Sequence, residues 1–282
     1  MASAMTGPDI DIAAYFARIA YSGPVDHSLR TLTALVAAHV RRIPFENLDP
    51  LLGIPVTELH PQGLMDKLVR RRRGGYCYEH NNLMRYVLED LGFRVDALAA
   101  RVVWMSPLGL EGPPTAQTHQ ALAVRIPGID DVFLVDVGFG GQTLSSPLRL
   151  TAGPIQQTPH EPYRLRTHDR GYVLEAMVRD RWQPLYTFTT DPTPLIDLEV
   201  GSWYVSTHPA SIFVTGLSAA LVTDDARWNL RGRNLAVHTG GDTERIRFDT
   251  AEQVLEALTE RFGIDLSGLG DVEARVAQVL DN

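Results

Sequence analysis

The sequence predicts an α+β protein in which helices come first, strands follow and a mixed α/β segment closes the chain. Three observations carry that order. Apolar residues recur at helical spacing through the first ninety or so residues, the period becomes alternating from Phe93 onward, and helical spacing returns after Thr250. Several short strands in succession, parted by turn signals, suit a small antiparallel barrel or sandwich.

In DHSLRTLTALVAAHVRRIPFEN, residues Leu29, Leu32, Val36 and Val40 share one helix face, Asp26 or Ser28 can cap its start, and Pro44 marks its end. GLMDKLVRRRR reads as a second helix, followed by Gly74 and Gly75, which suit a stop because they tolerate positive φ. The next helix starts near Cys77, carries Leu83, Val87 and Leu91, and ends at Gly92. Strands follow in VDALAARVVW, THQALAVRI, DVFLVDVGF, YRLRT, GYVLEAMV and WQPLYTF, with PGIDD and THDRG as turns. PTPLIDLEVGSWYVSTHP reads as a helix, and SIFVTGLSAALVT, ARWNL, NLAVHT and ERIRFD as further strands. TAEQVLEALTERFG places Leu255, Leu258 and Phe262 on one helix face with Thr250 as its cap.

At 282 residues the chain can bury a substantial core without a staple, and no internal repeat or low-complexity stretch is evident. One cysteine forbids an internal disulfide and fits a reducing compartment; with no signal-peptide pattern in MASAMTGPDIDIAAYF and no run of transmembrane length, the cytoplasm is expected. A net charge of −8 argues against nucleic acid as a partner, the Arg70 to Arg73 run being a local exception. No two of the nine histidines lie within four residues of one another, which disfavours a zinc site, so no metal is expected. GFGGQT lacks the third glycine of a dinucleotide fingerprint, and no GxxxxGK occurs.

The chemistry centres on RRRRGGYCYEHNNLM, which holds Cys77. A helix N-terminus, nearby arginines and a histidine partner each favour a thiolate. The plain alternative is a small buried hydrophobe. His119 opens one strand, and the next carries Asp136 among apolar residues, where aspartate is depleted unless paired. Alternatively, Asp136 is a turn former ahead of Gly138. If the connection spans Ile126 to Asp131, Arg125 faces Val132, Asp136 faces Ala121, and Asp136 shares a sheet face with His119. A connection one residue shorter separates them. In the first register His119 can take the thiol proton while Asp136 orients the imidazole, giving a thiolate and imidazolium pair.

The words RGGYCYEHNNL, preceded by IPFENLD and followed by THQALAV, VDVGFGG and STHPASIF, resemble the arylamine N-acetyltransferases from about Ile43 to Phe213. The resemblance implies an N-terminal helical bundle carrying the nucleophile (1–96), a central antiparallel β-barrel carrying the histidine and aspartate with a connecting helix (97–206), and a C-terminal α/β lid (207–282), around a cysteine-protease-like Cys-His-Asp core. It implies Cys77 as acetyl-accepting nucleophile, His119 as base and Asp136 as its orienting acid. The donor is then acetyl-CoA or a longer acyl-CoA, and the acceptor an aromatic amine or hydrazine. Phe45, Val103, Phe139 and Phe213 match positions that line the acceptor pocket, although by residue type alone each reads as core. Gly140 and Gly141 can let the coenzyme approach backbone closely, or simply serve a strand-end turn. Thr118 and His238 match coenzyme-contact positions, and Arg73 is expected to pair with Glu46. His80, Asn81 and Asn82 depart from the family pattern, as do Gly201 and Trp203, which implies an altered pocket rim. The competing readings are another cysteine-nucleophile enzyme, a transglutaminase or papain-like peptidase, and a non-catalytic acyl-CoA-binding protein.

Overall fold

The computed structural model describes residues 10–280, so the reading of the chain's first nine residues and the outer ends of the first and last segments lie outside it. Helices α1 (Ile12–Ile19) and α2 (Leu29–Arg42) each begin on a side-chain cap, Asp11 accepting from the Ala14 N–H and Ser28 from the Thr31 N–H. Asp26 instead takes the Ser28 and Thr31 hydroxyls. After strand β1 (Phe45–Glu46) and the short helices α3 (Leu48–Leu51) and α4 (Pro61–Leu64), the coil widens to a π-helical turn over Met65–Arg70.

The stop after that turn is not where the glycines were expected to make it. Arg72 takes the left-handed conformation, at φ 50°. Gly74 and Gly75 answer a different need, close approach: a Cβ on Gly74 would lie 2.0 Å from the Pro44 carbonyl oxygen, and one on Gly75 would lie 2.6 Å from the Glu79 carboxylate. Phe45 bridges Gly75 here, with the Glu46 N–H donating to the Gly75 carbonyl at 2.8 Å. Helix α5 (Cys77–Asp90) then starts at Cys77 itself.

Among the described residues, eight strands form one antiparallel sheet: β2 (Arg94–Val102), β3 (Gln117–Arg125), β4 (Val132–Val135), β5 (Leu148–Arg149), β6 (Ile155–Gln156), β7 (Tyr163–His168), β8 (Gly171–Val178) and β9 (Arg181–Phe188). Their order is β5-β4-β3-β2-β9-β8-β7-β6. The two edge strands meet through one side chain, since the Gln156 amide accepts from the Arg149 N–H and donates to the Arg149 carbonyl. The sheet therefore curls into a nearly closed barrel, filled by Leu98, Ala121, Leu134, Leu165, Leu174 and Leu185.

Helix α6 (Leu195–Thr207) follows, as expected. The expected strand SIFVTGLSAALVT divides: Ser211 caps a helical turn, α7 (Ile212–Thr215), and only Ser218–Val222 extends, as β10. Then come β11 (Ala226–Arg231), β12 (Asn234–Thr239), β13 (Asp242–Arg247), α8 (Ala251–Glu260) and α9 (Val272–Leu280). The second sheet runs β1-β10-β11-β12-β13, so the helical segment lends it an edge, with Phe45 opposite Ala220.

Two buried polar systems hold the helical segment to α5. In the first, Arg73, 1% exposed, meets Glu46 at 2.7 Å and Asp49 at 2.8 Å. Lys67 continues to Asp49 and Glu79, each at 2.6 Å, and Glu79 accepts the Tyr76 N–H. In the second, Tyr15, His39, His80 and the Pro44 carbonyl form a chain of contacts at 2.9, 2.9 and 3.1 Å. A carbonyl only accepts, so His80 Nε2 donates to it, His39 Nε2 donates to His80 Nδ1, and the Tyr15 hydroxyl donates to His39 Nδ1. In this arrangement both rings are neutral. Burial lowers His80 to about 4 and holds His39 well below its ordinary range.

Unfolding lets both histidines take up protons near their ordinary value of 6.5. Their contribution to stability is thus present above pH 6.5 and lost as pH falls toward 4, on the order of a few kcal/mol. Urea midpoints measured across that window should fall with pH, and less steeply in His80→Gln; equal slopes would refute the neutral chain. Gly74→Ala should lower stability by ~1–3 kcal/mol through backbone overlap, and an unchanged urea midpoint would contradict the close approach.

Candidate active site

Cys77 is the first residue of α5, where the helix presents N–H groups without intrahelical partners and the positive end of its dipole. It is 4% exposed, and its sulfur lies 3.8 Å from the Thr118 carbonyl oxygen. That carbonyl is available because β3 carries a bulge: Ala100 pairs with His119 and Arg101 with Gln117, leaving Thr118 out of the ladder.

The bulge precedes His119, and the strand beyond it sets the rest of the geometry. Arg125 pairs with Val132 and Leu122 with Val135, the register in which Asp136 comes to the His119 face. Asp136 Oδ2 stands 2.7 Å from His119 Nε2, with both side chains buried. Asp136 is not in mid-strand, however. Strand β4 ends at Val135, and Oδ1 accepts the Gly138 N–H at 3.1 Å, so the residue closes a turn and pairs with histidine at once. Since Nε2 is engaged by Asp136, Nδ1 is the ring atom left to face the Cys77 sulfur, whose proximity favours the protonated ring.

The electrostatics follow from burial opposed by charge. Burial alone would lower His119, but the adjacent Asp136 carboxylate, which accepts the ring N–H, and the nearby Cys77 sulfur raise it to about 10. Burial would raise Asp136, yet the imidazolium and the bonds from Asn81 and Gly138 hold it below the usual carboxylate range. The His119 ring meets Phe139 edge-on at 5.2 Å and Tyr186 at 4.8 Å.

Phe45, Phe213 and Gly140 come together beside Tyr76, the residue before Cys77. The Phe213 ring lies 5.9 Å from Phe45 and 5.7 Å from Tyr76, and a Cβ on Gly140, at φ 86°, would lie 3.5 Å from the Phe45 ring. Val103 follows Val102, which pairs with Tyr186, and its N–H donates to the Leu185 carbonyl at 2.9 Å. Gly141 packs against the Asn229 amide of β11, where a Cβ would stand 3.0 Å from it. His238 lies further along the second sheet, bonded to Thr243; burial first, then Arg179, Arg245 and Arg227, lower its pKa. No group of three or more His, Cys, Asp or Glu side chains is placed to hold a metal ion among the described residues.

The residues expected on an altered pocket rim are elsewhere. His80, Asn81 and Asn82 are fully buried, each bonded into the core between α5 and its neighbours. Gly201 fits α6 against Tyr78, whose hydroxyl would stand 2.4 Å from a Cβ there, and Trp203 points outward at 54% exposure. Sequence reasoning missed Asn81, Gly138 and Tyr186 near the cluster. Asn81 carried a usable signal, because it follows Cys77 by four residues and so shares its helix face. Gly138 carried a weaker one: a Cβ there would lie 2.7 Å from the Cys77 Cα.

An N-acetyltransferase family model matches residues 28–270. The chain is 65% identical to the arylamine N-acetyltransferase of Mycolicibacterium smegmatis over 274 residues, 96% of this chain and 99% of that one. It is 59% identical to the arylamine N-acetyltransferase of Mycobacterium tuberculosis, over 96% of each chain. The solved M. smegmatis arylamine N-acetyltransferase superposes with a TM-score of 0.94 at 64% identity, covering 97% of this chain and 100% of that one. The Mycobacterium marinum arylamine N-acetyltransferase in complex with CoA gives 0.93 at 56% identity, covering 95% and 99%. Since these matches span the helices, the barrel and the second sheet alike, the chain belongs to the arylamine N-acetyltransferases, a family of acyltransferases.

Proposed function

We propose that this chain moves an acetyl group from acetyl-CoA to the nitrogen of an arylamine or arylhydrazine in two half-reactions, through a thioester on Cys77. The observation that carries this reading is the buried His119 ring bonded to Asp136, with the carbonyl of Thr118, the residue before it, 3.8 Å from the Cys77 sulfur. At rest His119 already holds the proton taken from the thiol, and the sulfur attacks the thioester carbonyl. The tetrahedral intermediate collapses with loss of the coenzyme sulfur, which leaves with the proton returned by His119. The amine then attacks acetyl-Cys77, gives its proton to His119, and the amide product departs as the thiol is restored.

Asp136 stays ionised throughout, because its hydrogen bonds favour the carboxylate. Backbone N–H groups of the first turn of α5 are the donors assigned to the oxyanion. Phe45, Phe213, Phe139 and Val103 are assigned to the acceptor pocket, where flat apolar walls suit an aryl ring whose amine is uncharged at neutral pH. Gly140, Gly141, Thr118 and His238 are assigned to coenzyme A. Support comes from the lack of side chain at the two glycines and from the M. marinum relative solved with CoA. We place the activity in the cytoplasm, in keeping with the single cysteine; no helix among the described residues is long and apolar enough to cross a membrane.

Intact-protein mass after incubation with acetyl-CoA should rise by one acetyl group, lost again on adding an aryl amine, and Cys77→Ser should show no rise. Coenzyme binding without an adduct, or peptide cleavage, would replace the reading with one of its rivals. NMR titration of the His119 ring should give a midpoint near 10 in the native chain. In Asp136→Asn the charge that most strongly opposes burial is lost, so the midpoint should fall well below 10 and adduct formation should slow by ~10²-fold or more. A midpoint still near 10 in that variant would show that Asp136 is not the source of the shift.

A further inference from the structure

Asn81 has no part in the steps above, yet it touches every strand end that those steps rely on. It is wholly buried, one helical turn beyond Cys77 on the same face of α5. Its Nδ2 donates to Asp136 Oδ1 at 3.0 Å and to the Gln120 carbonyl, next to His119, at 2.7 Å. Its Oδ1 accepts the Val137 N–H at 3.1 Å. The amide has only one orientation that serves these partners, because the Gln120 carbonyl only accepts and the Val137 N–H only donates.

We propose that Asn81 is a positioning residue for acetyl transfer, coupling the helix that carries Cys77 to the strand ends that carry His119 and Asp136. This rests on the acetyl-transfer reading given above. With Oδ1 of Asp136 occupied by Asn81 and the Gly138 N–H, Oδ2 alone is turned to His119 Nε2. Because the same amide grips the backbone on both sides of the site, sulfur, ring and carboxylate keep one mutual geometry, to which transfer rates are steeply sensitive.

Its neighbour supplies the control. Asn82 is equally buried on α5 and donates to the Tyr78 carbonyl and to Gln120 Oε1, at 2.9 and 2.8 Å, with no bond to Asp136. Loss of either amide removes buried hydrogen bonds, but only loss of Asn81 takes a donor from Asp136, leaving the Gly138 N–H alone on Oδ1.

The test compares Asn81→Ala, Asn81→Ser and Asn82→Ala by the rate and half-saturation of Cys77 acetylation by acetyl-CoA, by NMR titration of His119, and by urea midpoint. Asn81→Ala should cut the saturated acetylation rate ~10-fold or more with half-saturation within about twofold. Its His119 midpoint should fall from about 10, since a carboxylate held at Oδ1 by the Gly138 N–H alone is less firmly aimed at the ring and holds its proton less well. Asn82→Ala should lower the urea midpoint while leaving rate and titration near native. Should Asn81→Ala fail to fold, Asn81→Ser, whose single hydroxyl cannot meet all three partners, should show the same two changes in smaller degree. A native rate and titration in a folded Asn81 variant would overturn the proposal, as would changes equal to those in Asn82→Ala. If the native chain formed no adduct, the acetyl-transfer reading would fall; the titration would still decide whether Asn81 positions the pair.

Discussion

The rest of the structure depends on how the segment 44–49 is pressed against the turn that leads into Cys77. The Pro44 carbonyl lies so near the Gly74 Cα that no side chain fits between them, and the β1 backbone bonds to Gly75. Charge holds the two together: Arg73 and Lys67 are shared among Glu46, Asp49 and Glu79. Burying such a set is costly in itself, and removing one partner from a buried pair costs ~3–5 kcal/mol because the other charge is stranded. The network is therefore better understood as a device for fixing one geometry than as a net source of stability. What it fixes is the exact start of α5, since Glu79 closes the chain of charges by accepting the Tyr76 N–H.

From that start the site is built by two unlike kinds of constraint. The sulfur is placed by a helix terminus, while the imidazole and carboxylate are placed by strand register and a bulge. Register alone would bring His119 and Asp136 to a common face but would not aim their atoms. The turn at Gly138 completes the aim by taking one carboxylate oxygen. Burial then works against charge on both groups, and in each the opposite partner prevails, so that the ring is kept protonated and the acid ionised.

Much of this was legible in the sequence. Apolar period found α2, α5 and the barrel strands, and counting residues along the Ile126 to Asp131 connection found the register. What escaped was decided by contacts between distant segments. Gly74 and Gly75 looked like a helix stop because glycine tolerates positive φ; the left-handed residue is Arg72, and the glycines answer to Pro44 and Glu79. SIFVTGLSAALVT reads as one strand by composition, but Ser211 offers a local cap and Gly216 an end, so its first half turns helical. His80, Asn81 and Asn82 were expected to alter the pocket rim, yet each finds partners across the α5 interface that a single sequence does not display.

Strand β1 has a consequence for the order in which the chain can mature. Phe45 is hydrogen-bonded into a sheet whose next strand, β10, is reached only after the whole barrel has been traversed. Ribosomal synthesis therefore completes the thiol's helix and the histidine's strand well before the residue that covers Phe45 emerges. Pairing across so long a loop is late and slow. The aromatic wall beside Cys77 therefore closes only after β10 has been made, well after the helix and strand it adjoins.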